Sequence, residues 1–227
     1  MVDFYNMPVV HETNGEGKII EMWDGKSIKI RFADFEKRYY FPLVVTAGKL
    51  KALNAKDETL LQEVIERWVA FAVEREMIGS TKDDVIPAFL RVCAALHGAY
   101  PEMEIAKRIV PYFAEPDAEL SEEELERKAE GYCAALQEFV SSVITRELQN
   151  VVELEVIYAI ARIYTALYGA YPEKEIARRV AKLRLETNGE ATDEEIERTA
   201  QRYCADLKQE REKNTPVLPE ERKKASA

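Results

Sequence analysis

The sequence repeats itself at one fixed offset. Residues 98–106 read GAYPEMEIA and residues 169–177 read GAYPEKEIA, so eight of nine positions agree at a separation of 71. The same 71-residue period aligns 85–138 with 156–209 without a gap. Val85 meets Val156, Arg91 meets Arg162 and Leu96 meets Leu167. Further on, Glu124, Arg127, Ala129, Tyr132, Cys133 and Leu136 meet Glu195, Arg198, Ala200, Tyr203, Cys204 and Leu207. Agreement at constant spacing marks a duplicated structural unit, in which each copy covers the apolar face of its neighbour. The offset also reaches backwards, aligning Trp68, Val69, Val73, Arg75 and Glu76 with Phe139, Val140, Ile144, Arg146 and Glu147.

Apolar residues from position 57 onward recur at helical spacing. Seven helices are expected, at about 57–78, 82–97, 101–114, 121–148, 151–168, 172–187 and 192–212. The helical repeat domain is therefore 57–212, with copies at about 82–148 and 151–212 and a partial copy at 57–78. A stack of three-helix units fits this order, and so do two small trihelical bundles packed together.

Local chemistry sets the helix ends. Ser121 with Glu124 and Thr192 with Glu195 have the spacing of capping boxes. Gly98 and Gly169 can close a helix in the left-handed conformation, and Pro101 and Pro172 stand where the next helix needs no amide donor. Glu102 and Glu104 recur as Glu173 and Glu175, in first turns that favour acids for structural reasons. Tyr100 and Tyr171 are the members of the turn that local structure does not explain, which makes them candidate contacts for a partner.

Before the repeat, residues 1–52 have a different period. Asp24-Gly25 is a two-residue hairpin signal, and Ile28, Ile30 and Phe32 alternate with Lys29 and Arg31. A second turn is expected over Asp34 to Lys37 and a third strand over Arg38 to Phe41, closed by Pro42. Short strands this dense are best buried as a small curled barrel. The expected fold class is α+β, mainly α, with a small β-barrel followed by an all-α duplicated three-helix repeat.

The run Val9-Val10-His11-Glu12-Thr13-Asn14-Gly15-Glu16-Gly17-Lys18-Ile19, with Ile30-Arg31-Phe32 beyond it, resembles the start of the tudor/SH3-like barrel of UvrD-type helicases. CarD-type regulators carry a similar barrel. The likeness covers about 45 residues and departs at Asn14, where that family has Phe. It implies a barrel that docks on RNA polymerase or a nucleoprotein machine, in a bacterial or phage setting. The stretch Tyr171 to Arg179 is similar to the first helix of a helix-turn-helix. The helices that would read DNA, however, open SEEELER and TDEEIER, with four acids in six residues. Such helices would repel phosphate.

Charge divides the chain as the periodicity does. The net charge is −10, yet residues 17–51 hold eight Lys or Arg against four Asp or Glu, a net of +4. Residues 1–16 carry −3, leaving −11 for 52–227. Trp23, Lys29, Arg31, Lys37, Arg38 and Tyr40 form a candidate basic aromatic surface on the barrel. On the helices the candidate partner contacts are Tyr100, Tyr171, Glu122, Glu123, Asp193, Glu194, Arg178 and Arg179. For each of these charges an ordinary solvated face is the plainer reading.

No triad, metal cluster or glycine-rich phosphate loop stands out, so no catalytic residue, metal or cofactor is expected. His11 and His97 are the obvious groups titrating near neutrality. Three scattered cysteines, no long apolar run and no leader-like N-terminus fit a cytoplasmic protein, and the Pro- and charge-rich 213–227 reads as a flexible tail. The expected function is a non-enzymatic binding or adaptor protein docking on a larger protein or nucleoprotein complex. Two alternatives stay open: an acidic, phage-type, anti-CRISPR-like inhibitor of a nucleic-acid-binding enzyme, and nucleic-acid binding through the barrel.

Overall fold

The structure, a computed structural model, describes residues 4–23, 27–41, 43–98, 100–114, 120–187 and 189–214. The Asp24-Gly25 turn, Pro42, the side chain of Trp23 and all but the first two residues of the 213–227 segment lie outside the described residues. The fold is α+β, mainly α.

Five antiparallel strands come first: β1 (Pro8–His11), β2 (Gly15–Trp23), β3 (Ser27–Arg31), β4 (Glu36–Tyr40) and β5 (Leu50–Ala52). Their order is β4-β3-β2-β1-β5. A short helix, α1 (Leu43–Thr46), lies between β4 and β5. This is the strand order of an SH3/tudor-like barrel. Alternation in β3 buries Ile28 and Ile30 and turns Arg31 outward, as the period of two requires. Val9, Ile19, Phe41 and Leu50 complete the apolar filling.

The two glycines at the start of β2 do different work. Gly15 takes φ +74°, a conformation that disfavours other residues. Gly17 is extended, but a Cβ there would lie 2.8 Å from the Arg31 carbonyl oxygen and 2.8 Å from Ile30 Cγ2. Strand β4 begins two residues before the expected third strand. The chain turns over Phe32–Phe35, where the Phe32 amide donates to the Phe35 carbonyl at 2.9 Å. Neither α1 nor β5 has a periodic signal, because four and three residues are too few to carry one.

Seven longer helices follow among the described residues: α2 (Ala55–Met77), α3 (Val85–Ala95), α4 (Glu102–Phe113), α5 (Glu122–Leu148), α6 (Val156–Ala166), α7 (Glu173–Glu186) and α8 (Asp193–Asn214). The first residues of α3, α4 and α5 reappear 71 positions later as those of α6, α7 and α8. Short 3₁₀ turns at Lys82–Asp84 and Glu153–Glu155 precede α3 and α6 at the same offset.

The duplication extends to individual bonds. Glu124 accepts from the Ser121 amide at 3.2 Å, and Glu195 accepts from the Thr192 amide at 2.9 Å. The hydroxyls of Ser121 and Thr192 each accept an amide in return at 3.3 Å, so both capping boxes form. Glu76 pairs with Arg75 at 2.7 Å and Arg91 at 3.1 Å. Its counterpart Glu147 pairs with Arg146 at 3.1 Å and Arg162 at 3.0 Å. Hydrogen bonds from Arg162 and then Arg146 hold the Glu147 carboxyl below the usual carboxylate range.

Packing divides the chain into two compact units. One comprises residues 1–143 and 165–172, and the other 144–164 and 173–227. The barrel thus belongs to the same unit as α2, α3 and α4. Only Leu53 and Asn54 separate β5 from α2. Asn54 caps α2 by accepting from the Asp57 amide at 2.9 Å, and Glu58 reaches back to accept from the Ala52 amide at 2.9 Å.

Two glycine substitutions test this account in opposite directions. Gly131 is exposed within α5, and a Cβ there would meet nothing within 4 Å. Gly131→Ala is expected to stabilise the chain by about 0.5–1 kcal/mol through helix propensity. Gly17→Ala is expected to destabilise it by roughly 1–3 kcal/mol through forced displacement of β3. Denaturant melts of the two variants check the signs.

Candidate functional site

A concavity of about 430 Å³ opens on the barrel. Its lining residues come from β1 and the turn after it, from β4, and from α1 and the turn that leads to β5. His11 ends β1, and Thr13 follows it. Lys37, Arg38, Tyr39 and Tyr40 come from β4, Leu43 and Val44 from α1, and Ala47 and Lys49 from the approach to β5. The helix without a periodic signal and the turn after it therefore supply four of the ten lining residues.

His11 is 6% exposed. Its Nδ1 accepts the Thr13 backbone amide at 3.1 Å and lies 3.2 Å from the Asn14 amide nitrogen. An Nδ1 that accepts cannot carry the ring proton, so Nε2 is the donor of the neutral imidazole. Asn14 Nδ2 also donates to the Tyr39 hydroxyl at 2.5 Å, and the Tyr39 ring lies 4.7 Å from that of His11. Asn14, the position that departs from the helicase-type pattern, is thus the bridge that fixes His11 and Tyr39. Burial, then the charge of Lys37, push the His11 pKa below its ordinary value; Glu12 opposes them and Lys49 adds to them. The site is built around a neutral histidine.

The predicted basic surface divides. Lys37, Arg38 and Tyr40 line the concavity, and Tyr40 is exposed with its ring 5.8 Å from that of His97. Lys29 and Arg31 converge instead on Glu36, at 2.5 and 2.8 Å. Their hydrogen bonds, Lys29 first, lower the Glu36 pKa. Arg38 lies 3.7 Å from Glu21. Lys37 and Lys49 have no carboxylate partner among the described residues; Lys37 Nζ sits 5.4 Å from the Tyr39 ring centre.

Except for Glu122 and Glu123, the helical candidates pair within the fold. Tyr171 is buried, and its hydroxyl donates to Glu102 at 2.8 Å. This leaves it little surface for a partner. Tyr100 is half-buried and donates to Glu66 at 2.8 Å; Arg108 pairs with the same Glu66. Arg178 lies 3.6 Å from Asp193, Arg179 is 3.0 Å from Glu175, and Glu194 pairs with Arg198 at 3.2 Å. The other cations of α7, Lys174, Lys182 and Arg184, meet Glu197, Glu186 and Glu153 at 2.6, 3.8 and 3.3 Å. Glu122 and Glu123 are exposed at the start of α5.

Sequence reasoning did not collect Thr13, Tyr39, Leu43, Val44, Ala47 and Lys49 into a site, and it named His11 only as a group titrating near neutrality. The usable signal was the left-out cation Lys49, which lies two residues from Lys51 in an otherwise unassigned stretch.

Among the described residues no group of three or more His, Cys, Asp or Glu side chains is arranged to hold a metal ion. Burial raises the pKa of all three thiols, most strongly at Cys93, which keeps them protonated and poor nucleophiles. No helix of the described residues is long and apolar enough to cross a membrane. Set against known protein families, curated proteins and solved structures, the chain finds no match.

A depressed histidine pKa links to stability with a definite sign. The unfolded chain binds a proton at His11 below about pH 6.5, where the folded chain resists it. This contribution is fully present above about pH 6.5 and declines as pH falls through that value toward the folded pKa. The expected outcome is a lower thermal midpoint at pH 5.5 than at pH 7.5, with a smaller difference in His11→Gln. The window lies above that of the carboxylates, which lose their stabilisation below about pH 4.5.

Proposed function

We propose that this protein is a cytoplasmic, non-enzymatic binding or adaptor protein that docks on a larger protein or nucleoprotein complex through its barrel. The observation that carries this reading is the barrel concavity, where Lys37, Arg38 and Lys49 surround a buried neutral histidine and no acid lines it among the described residues. A one-signed concavity focuses potential and steers a partner of opposite charge. The cations of the helical repeat support the same choice, because those on α7 are already matched by carboxylates. The short connection through Leu53 and Asn54 would transmit the orientation of the barrel to α2 without a flexible linker.

The acidic-inhibitor reading rests on the helix starts. Glu122 and Glu123 are exposed, and the Asp193 and Glu194 side chains are 93% and 84% exposed despite their partners. The two readings separate by site. The tagged full-length chain is expected to retain a stoichiometric protein partner from lysate of its native cells. Lys37→Glu combined with Arg38→Glu is expected to release that partner, whereas Glu122→Gln with Asp193→Asn is expected to retain it. Retention by the first variant and release by the second would transfer the function to the acidic helices.

A further inference from the structure

Resting on the reading of the barrel as a docking module, we propose that its concavity binds a short acidic segment of a partner protein. A carboxylate of that segment sits against His11, and an apolar side chain beside it packs on Leu43, Val44 and Ala47.

Four observations meet at this site. First, its charged lining has one sign: Lys37, Arg38 and Lys49, with no acid among the lining residues. Second, His11 is nine-tenths buried and only half satisfied. Its Nδ1 is occupied by the Thr13 and Asn14 nitrogens, while its Nε2–H has no hydrogen-bond partner among the described residues and the ring lines the cavity. That Nε2–H is not among the fully covered atoms without a partner, so it is open to an incoming acceptor, and a carboxylate oxygen would take the place of water there. Third, Leu43, Val44 and Ala47 make a continuous apolar wall from α1 to the turn after it, beside the exposed ring of Tyr40. An anion without an apolar neighbour would leave that wall wet. Fourth, about 430 Å³ is the size of a compact ligand site. It accommodates a few side chains, whereas a nucleic-acid strand needs a groove that follows its backbone.

Net charge favours the peptide over nucleic acid. The chain carries −10 overall and −11 over residues 52–227. A long polyanion experiences that field along its length, while a segment with two or three carboxylates concentrates its charge on the local cations. The pairing of Lys29 and Arg31 with Glu36 removes two cations that an extended phosphate track would use.

The test uses the full-length chain and fluorescein-labelled twelve-residue peptides in which Asp and Glu alternate with Leu or Phe. Peptides with Lys in place of the acids, acidic peptides with Gly in place of Leu and Phe, and oligo(dT) are run alongside. Acidic-apolar peptides are expected to bind. Lys49→Glu, at an exposed position, is expected to weaken them by about tenfold or more without altering the melt. Nitrogen NMR is expected to show a shift of the His11 Nε2 resonance on titration, a change that a merely structural histidine would not give. Absence of peptide binding, binding indifferent to Lys49→Glu, or equal binding of the glycine peptides would overturn the proposal. So would oligo(dT) binding lost in Lys49→Glu, which would assign the concavity to nucleic acid. If the peptides fail while partner capture from lysate still depends on Lys37 and Arg38, the acidic segment is wrong and the docking reading stands. If both fail, the docking reading falls as well.

Discussion

The helical part depends on one sharp reversal, made twice. Helix α3 has to end and α4 has to begin within a few residues, and the exit takes two consecutive left-handed residues. His97 has φ +54° and Gly98 φ +62°. The His97 amide donates to the Ala94 carbonyl and the Gly98 amide to the Cys93 carbonyl, each at 2.9 Å. That pair of bonds closes a Schellman ending in which the residue after the cap is His97 and the glycine comes next. Tyr168 and Gly169 repeat the left-handed pair at φ +54° and +70°, with the Tyr168 amide donating to the Thr165 carbonyl at 3.0 Å. A non-glycine residue in the first left-handed position is strained by roughly 1–2 kcal/mol, and it persists because the bonds around it leave no alternative. The glycine is needed for a further reason in the first copy. A Cβ on Gly98 would lie 2.6 Å from the Ala170 carbonyl oxygen, so one turn is built against the other.

This explains why the turn was readable as a joint and why its details were not. Gly and Pro announce where a helix stops and the next begins, since each acts through its own backbone. Which residue takes the left-handed position depends on the hydrogen-bond register, and His97 and Tyr168 advertise nothing at that level. The tyrosines of the turn show the same limit. Tyr100 and Tyr171 are identical in sequence and differ in setting, because position 66 is Glu and its counterpart 137 is Gln. Glu66 takes the Tyr100 hydroxyl, whereas Tyr171 turns to Glu102, which Gln137 also donates to at 2.7 Å. A repeat preserves its frame and lets its pairings drift.

Charge was legible as a total and misleading as a surface. The basic excess of residues 17–51 suggested a continuous face, but Glu36 draws in both Lys29 and Arg31 across adjacent strands. Cross-strand neighbours stand close enough for one carboxylate to meet two cations, and that meeting follows register rather than composition. The helices behave alike. Their repeated Glu76 and Glu147 clamps tie the end of one helix to an arginine of the next, so a large share of the acidic count maintains geometry. Lys37 and Lys49, two of the cations without a carboxylate partner among the described residues, stand twelve positions apart and adjoin the same concavity because the chain after α1 returns to pair β5 with β1.

His11 then acquires its role from its surroundings. On the sequence it lacks any neighbour that chemistry would want, and a structural histidine is the sensible expectation. The fold gives it two donors on one nitrogen, an aromatic ring beside it and cations near enough to oppose its protonation. A histidine serving only the core would have both nitrogens satisfied inside the protein. This one spends its acceptor on the barrel, while its Nε2–H is left without a partner among the described residues and the ring lines the concavity. The same Asn14 that breaks the resemblance makes that division possible, because Phe at that position offers no amide to hold Nδ1 and the Tyr39 hydroxyl together. The departure from the familiar barrel pattern and the unpaired donor are therefore one feature, and it lies where the unpartnered lysines converge.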